Sequence, residues 1–166
     1  MNRQRGAVLI LSLTLLMALA ALTLASFRGA DIQQLLATGQ RDREATLAAA
    51  EATLAAARDT LMGLSGRPRV CDDGSCGTFA RGKLPLEPGN DWEVANDDWW
   101  TANATSPDGI DGRYVLEYRG FVRDDLGTGR GDGGGRDFYR VLARSTGSQP
   151  GTRVLLEAVY ARRFID

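Results

Sequence analysis

Two cysteines carry the plainest chemistry in the chain. Cys71 and Cys76 frame Asp72-Asp73-Gly74-Ser75 as C-x4-C. An Asp-Gly turn folds back tightly enough to bring two sulfurs within bonding range. The pattern predicts a disulfide, which suits an oxidising compartment such as the periplasm. The loop it closes is short, so chain entropy contributes little and its use is to pin a local turn. Zinc would need further ligands, and the chain has no histidine and no third cysteine. A redox-active pair is more usually C-x-x-C.

The other reactive residues form no recognisable constellation. The absence of histidine removes the commonest general base and the commonest metal ligand. Lys83 is the only lysine, and no motif accompanies it for Ser-Lys chemistry. The stretch from Asp124 to Asp137 holds a nominal G-x-G-x-x-G at Gly129, Gly131 and Gly134. A dinucleotide site needs a helix next, and a strand pattern follows instead. The acids and glycines of 124–137 could cage Ca²⁺, but EF-hand spacing is absent and a flexible hairpin loop is the preferred reading. Asn103-Ala104-Thr105 is a glycosylation sequon only in a suitable host. The arginines are scattered among acids and the formal net charge is −1, so no nucleic-acid footprint is present. The expectation is a non-enzyme without cofactor or metal.

The elements that position these residues begin with Gly6 to Phe27, an apolar run without a charge between Arg5 and Arg28. As a helix it would reach roughly 30 Å, enough to cross a bilayer core. Arg3 and Arg5 before it hold the first residues in the cytoplasm. Three readings compete. One is a plain single-pass anchor. Another is a Sec signal peptide cut after Ala20, at Ala18-Leu19-Ala20. The third rests on Gly6 and Ala7, which border the basic leader and the apolar run. That is where a prepilin peptidase cuts type IV pilin precursors, leaving the apolar helix in place.

Residues 28 to 64 read as a continuing helix, free of Pro and rich in Ala, Leu, Gln, Glu and Arg. Leu47, Ala50, Leu54, Ala57, Leu61 and Leu64 form one apolar stripe at helical spacing. The stripe predicts a helix covered by the chain's own sheet, with a coiled-coil partner as the alternative. Gly63, Gly66 and Pro68 end it. Residues 65 to 112 are dense in turn formers and predict a long connection with at most short strands. Trp92, Trp99 and Trp100 lie there, read as capping the core edge rather than as an exposed binding pair. Then the period changes. Arg113–Arg123, Phe138–Ser145 and Arg153–Phe164 predict a three-stranded antiparallel meander, which is too small to stand without the striped helix over it.

This plan resembles the type IV pilins, and the residues resemble one branch, the PilX-type minor pilins. The shared signature is Gln4-Arg5-Gly6-Ala7-Val8-Leu9-Ile10, then Arg41-Asp42-Arg43, then Ala49-Ala50-Glu51-Ala52-Thr53-Leu54. Looser likeness follows at Tyr114-Val115-Leu116-Glu117-Tyr118, Tyr139-Arg140-Val141 and Thr152-Arg153-Val154-Leu155-Leu156. The resemblance implies an α+β type IV pilin fold: a long N-terminal helix, membrane half plus amphipathic half, packed on a small C-terminal antiparallel β-sheet. Its segments would be a prepilin leader (1–6), a transmembrane and filament-core helix (7–27), an amphipathic half (28–64) and a globular region with disulfide loop and sheet (65–166). It implies cleavage between Gly6 and Ala7, and N-methylation of Ala7.

Major pilins usually carry Glu at the fifth position after the cut, and here that residue is Leu11. In the family, that Glu neutralises a neighbour's N-terminal amine in low-dielectric surroundings. Its absence implies a place at or near the pilus tip, in a subunit that primes assembly and supports adhesion or twitching motility. The implied partners are the major pilin, other minor pilins, a PilY-type tip adhesin, the inner-membrane assembly platform, the prepilin peptidase and the membrane. The implied location is the inner membrane, single-pass with a periplasmic C-terminal domain, and then the extracellular pilus. A minor pseudopilin of type II secretion or DNA uptake shares fold and cut. A Sec-exported binding protein or enzyme is the reading from another class.

Overall fold

The computed structural model describes residues 4–85, 97–124, 134–149 and 151–164, with the backbone alone at 4–6 and 24–31. The chain divides into two compact units, Met1–Arg41 and Asp42–Asp166. One helix, α1 (Gln4–Gly63), runs through the first and into the second. Its uninterrupted length follows from composition: no Pro interrupts it, and Ala and Leu dominate. Its hydroxyl side chains do not compete with the backbone for structure. Ser12, Thr14 and Thr23 each donate to the carbonyl three residues back, at 2.8–2.9 Å. Among the described residues, no helix is long and apolar enough to cross a membrane. The span expected at 7–27 extends into residues 24–27, whose side chains are not described.

In the second unit, four strands form one sheet in the order β1 (Thr78–Phe79), β2 (Arg113–Arg123), β3 (Gly135–Thr146), β4 (Arg153–Arg162). The expected antiparallel meander is present as β2-β3-β4. The sheet is nonetheless mixed, because β1 adds in parallel through Thr78↔Leu116 and Phe79↔Glu117. β3 starts three residues before the expected Phe138, since Gly135, Arg136 and Asp137 pair with Arg123, Val122 and Phe121. β4 stops at Arg162, short of the expected Phe164. A bulge interrupts β2 between Tyr118 and Gly120, where Arg119 and Gly120 together face Phe138. Gly120 sits there at φ +140°, a conformation an L side chain rarely adopts.

The sequence expectation of a long connection with at most short strands at 65–112 fits the two-residue β1 and is corrected by α2 (Asp97–Asn103), a two-turn helix. Asp97 and Asp98 occupy its first turn, where acids offset the helix dipole. Asn103 Nδ2 donates to the Trp99 carbonyl at 2.9 Å, closing its last turn. Aspartates that read as turn formers therefore mark a helix start.

The sheet is covered on both faces. One face presents Tyr114, Leu116, Val141 and Ala143 to α1, with Ala57 fully buried between them and Leu54 and Tyr160 packed around it. The other buries Val115 and Leu142 under Phe79, Leu84 and Trp100. Trp100 is buried and Trp99 half-buried, stacked near Phe79 with centroids 6.1 Å apart. The buried stripe of α1 is Thr46, Ala50, Thr53, Ala57 and Leu61. Ala50, Ala57 and Leu61 belong to the stripe expected from the sequence, but Thr46 and Thr53 take the buried places expected of Leu47 and Leu54: Leu47 is 41% exposed and Leu54 half-buried. Small residues bring the helix close to the sheet, and threonine is tolerated because its hydroxyl bonds back to its own helix. Thr46 donates to Asp42 O at 2.6 Å and Thr53 to Ala49 O at 2.7 Å.

A leucine that the sheet buries and one that it leaves out should behave differently. Leu61→Ala should cost about 2–5 kcal/mol through the lost burial and the cavity left behind. Leu47→Ala should cost under about 1 kcal/mol, as expected of a surface position. Chemical denaturation of the full chain, compared with each variant, measures both.

Candidate functional site

The first unit presents an apolar surface that nothing within the described chain covers. Val8, Leu9, Ile10, Leu11, Leu13, Leu15, Leu16, Met17, Leu19 and Leu22 are all more than half exposed. They point in every direction around the helix. A helix apolar all round is built to be surrounded, not to float in water. Ala7, at the expected cleavage junction, is likewise exposed, and the backbone is helical from Gln4 through Gly6. The small residues Ala18, Ala20 and Ala21 lie among the leucines and would let another helix approach closely. Because Ser12, Thr14 and Thr23 already bond to the helix itself, a non-aqueous neighbour would leave none of these hydroxyls unsatisfied.

The second unit is fastened at the point where α1 enters it. The Asp42 carboxylate accepts hydrogen bonds from the Ser148 N–H at 2.8 Å, the Ser148 hydroxyl at 2.6 Å and the Gln149 N–H at 3.2 Å. This clamps the β3–β4 turn onto the helix. Gly147 beside it has no room for a side chain, since a Cβ would lie 2.6 Å from both Asp42 Oδ2 and Thr46 Oγ1. The Ser148 and Thr152 hydroxyls, then the backbone N–H groups, draw the Asp42 carboxyl from 3.8 down to about 2. Sequence reading noted Asp42 only as part of Arg41-Asp42-Arg43. Its partners lie more than a hundred residues away, so no local signal could have given its role.

Cys71 and Cys76 are joined by a disulfide, with Cα atoms 5.9 Å apart. The turn between them is closed by Asp73, whose carboxylate accepts from the Ser75 N–H and hydroxyl at 3.1 and 2.8 Å. Those bonds hold its carboxyl below the usual aspartate range. Cys71 exchanges backbone hydrogen bonds with the β1 segment, its N–H to Thr78 O and its carbonyl from the Ala80 N–H. The disulfide loop therefore extends the sheet edge and carries Phe79 into the core. Lys83 pairs with Asp72 at 3.3 Å across the same loop.

Several charged residues elsewhere are engaged with one another. Arg140, buried between strands, bonds Glu157 at 2.8 and 3.0 Å and Glu117 at 3.3 Å. Burial opposes its charge, but Glu157 and Glu117 hold it firmly protonated. The other Glu117 oxygen accepts from the Gly82 N–H at 2.7 Å, tying the chain after β1 to β2. Asp137 is buried and accepts from Arg67 at 2.9 Å and from the Tyr118 hydroxyl at 3.1 Å. Burial first, then Asp137, pushes the Tyr139 phenol up to about 12. Arg144 bonds Asp97 and lies over the Trp100 ring, 5.5 Å from its centroid, flooring a cavity of about 130 Å³.

The Ca²⁺ possibility at 124–137 falls mostly on 125–133, outside the described residues. Its two described acids are otherwise occupied: Asp124 pairs with Arg136 and Arg163, and Asp137 with Arg67. Among the described residues no group of three or more His, Cys, Asp or Glu could hold a metal ion. Asn103 of the sequon is half-buried with its amide committed to Trp99. The arrangement thus offers surfaces for assembly, and a unit braced by ion pairs and a disulfide.

Two outcomes follow. A folded pKa below the unfolded one stabilises above pH about 4 and is lost as pH falls towards about 2. In the full chain, the Ser148 and Gln149 amide resonances should shift with a midpoint near pH 2, and Asp42→Asn should abolish that step. Replacing both cysteines by serine should cost no more than about 2 kcal/mol, the low end of the chain-entropy scale that so short a loop reaches. Hydrogen exchange should speed up at 71–80 while β2, β3 and β4 remain protected.

Comparison with known proteins places this arrangement. No curated protein and no solved structure matches the chain. A family model described as "Type IV pilus assembly protein PilX C-term" matches residues 40–162. The match begins two residues before the Asp42 clamp and ends with β4. The chain belongs to the PilX family of type IV pilus assembly proteins.

Proposed function

We propose that this protein is a minor type IV pilin, a structural subunit at or near the pilus tip that primes assembly and supports adhesion or twitching motility. The observation that carries the reading is the apolar surface of α1 at residues 8–22, exposed on every side and with its hydroxyls satisfied within the helix. In the proposal, residues 1–6 are the leader and a prepilin peptidase cuts between Gly6 and Ala7. The Ala7 amine is then methylated. Residues 7–27 first cross the inner membrane, with the globular region in the periplasm, and then leave it for the helical core of the filament. Residues 28–64 form the amphipathic half of the helix and 65–166 the outward region, together a type IV pilin fold. The function is packing, without catalysis or cofactor.

Leu11 supports the tip position. A Glu here would place a charge in low-dielectric surroundings and require a neighbour's amine to balance it. A subunit with no neighbour above it has no such amine to neutralise, and leucine leaves nothing unpaired. Partners at that position are other minor pilins, the major pilin below, the assembly platform in the inner membrane and a PilY-type adhesin.

Mass spectrometry of the mature N-terminus, from a host with an active prepilin peptidase, tests the reading. N-methylated Ala7 is expected. A start at Ala21 or an intact Met1 would overturn it. Leu11→Glu should lower surface piliation and move the subunit from the tip into the shaft, read by immunogold labelling of the globular region.

A further inference from the structure

The sheet face that lies under α2 ends in a cluster of arginines. Arg113 on β2 and Arg144 on β3 stand directly opposite each other in the strand register. Side chains two residues apart on a strand point the same way, so both share the face of Val115 and Leu142, which pack with Trp100. Like charges set directly opposite destabilise a sheet. Arg153 on β4 is diagonal to Arg144, because Arg144 pairs with Leu155 and Thr146 with Arg153. Asp97 answers part of this charge. Its bond to Arg144, with the weaker fields of Arg153 and Arg113, holds its carboxyl below the usual aspartate range.

The Arg144 side chain is only 9% exposed, while that of Asp97 is 62% exposed. A guanidinium carries five N–H donors. Among the described residues, Asp97 is the one hydrogen-bond partner of the Arg144 side chain. Arg113 is half-buried, and its side chain hydrogen-bonds nothing among the described residues. Both arginines line a cavity of about 130 Å³ that Trp100 and Ile110 also wall. A cavity of about 150 Å³ can hold a benzene ring, so this one has room for a carboxylate on a short carbon stem. Ser106 and Thr146 at its margin are exposed, so it opens to solvent. Asp111 lines it too and is exposed, with its carbonyl accepting from the Ser145 hydroxyl at 2.6 Å. Arg113, Arg144 and Arg153 against Asp97 and Asp111 leave one positive charge over.

We propose that this cavity binds a single carboxylate on a short apolar stem, with its oxygens between Arg113 and Arg144 and its stem against Trp100 and Ile110. A guanidinium is a planar fork that meets a carboxylate with two parallel hydrogen bonds. One negative charge balances the one positive charge left over, and it separates two arginines that otherwise repel each other. A doubly charged phosphate fits less well. It overshoots the excess, and its oxygens on the Ile110 side would lose water without gaining a partner. A free small acid and an acidic side chain of another protein present the same group. The site belongs to the second unit and is independent of the membrane and filament role given to α1.

The test uses the full chain in detergent micelles, with propionate as the probe and propionamide as its neutral isostere. Propionate should saturably shift the amide resonances of Arg113, Arg144 and Ser145 and the Trp100 indole, and propionamide should not. Arg113→Gln should weaken propionate binding about tenfold or more, because a charged hydrogen-bond donor is lost. Arg113 has no hydrogen-bond partner to leave behind among the described residues, and the propionamide comparison reads the need for charge even if that variant fails to fold. A capped peptide with one glutamate separates the two sources. Tighter binding than propionate assigns the carboxylate to a side chain of another protein, and weaker binding assigns it to a free acid. No saturable shift, equal shifts with propionamide, or unchanged affinity in Arg113→Gln would overturn the proposal. So would tighter binding of inorganic phosphate than of propionate at equal ionic strength.

Discussion

The second unit depends on how closely α1 approaches the sheet. Ala50, Thr53 and Ala57 have no accessible surface; Ala57 packs with Tyr114, Leu116, Val141 and Ala143, and Thr53 lies against Gly112. Small residues there put the large ones on the sheet, so the two surfaces interlock at interior density. The rest follows from that closeness. Thr46 and Thr53 can be buried only because their hydroxyls reach back to their own helix. The turn after β3 passes so near α1 that residue 147 has no room for a Cβ, and Asp42 catches the next two backbone amides.

The opposite face of the sheet is governed by charge as well as by apolar packing. Arg140 sits between Glu117 on β2 and Glu157 on β4, so one guanidinium spans three strands. A buried pair of this kind contributes little net stability over an apolar substitute, but a one-residue slip would leave its charges unpaired in the interior. Glu117 also receives the Gly82 N–H, so the same group fixes the chain that leads out of β1. The disulfide does comparable work on the edge: it closes a turn whose backbone pairs with β1 and so delivers Phe79 to the core.

Much of this was legible in the sequence, for physical reasons. Strand β2 announces itself through alternation, β3 and β4 through β-rich composition between Gly-rich loops, and α1 through the absence of any Pro before Pro68. The cysteine pair needed only its spacing and the turn between. The misses share a cause. The leucine stripe pointed to Leu47 and Leu54, while close packing selected Thr46 and Thr53, because contact with a sheet rewards smallness as much as hydrophobicity. Asp97 and Asp98 read as turn formers, although the same residues start helices when a buried Trp100 gives the next turn something to pack against. β1 is two residues long and parallel, and a strand that short carries no period. The Asp42 clamp joins residues far apart in sequence, which no local pattern encodes.

The bulge at Arg119 and Gly120 has a consequence for how this sheet tolerates changes in chain length. Side chains in β2–β4 are locked to their faces by parity, so removing a residue elsewhere in the middle of a strand turns every later side chain inside out. Arg119 is different. Tyr118 pairs with Tyr139, and Phe138 already faces two residues of β2. Excising Arg119 would leave Gly120 opposite Phe138 and Phe121 opposite Asp137, with each later side chain on the face it now occupies. Gly120 would no longer need its left-handed backbone. Within the paired strands, this is the position at which the chain length can change by one while the pattern of inside and outside survives.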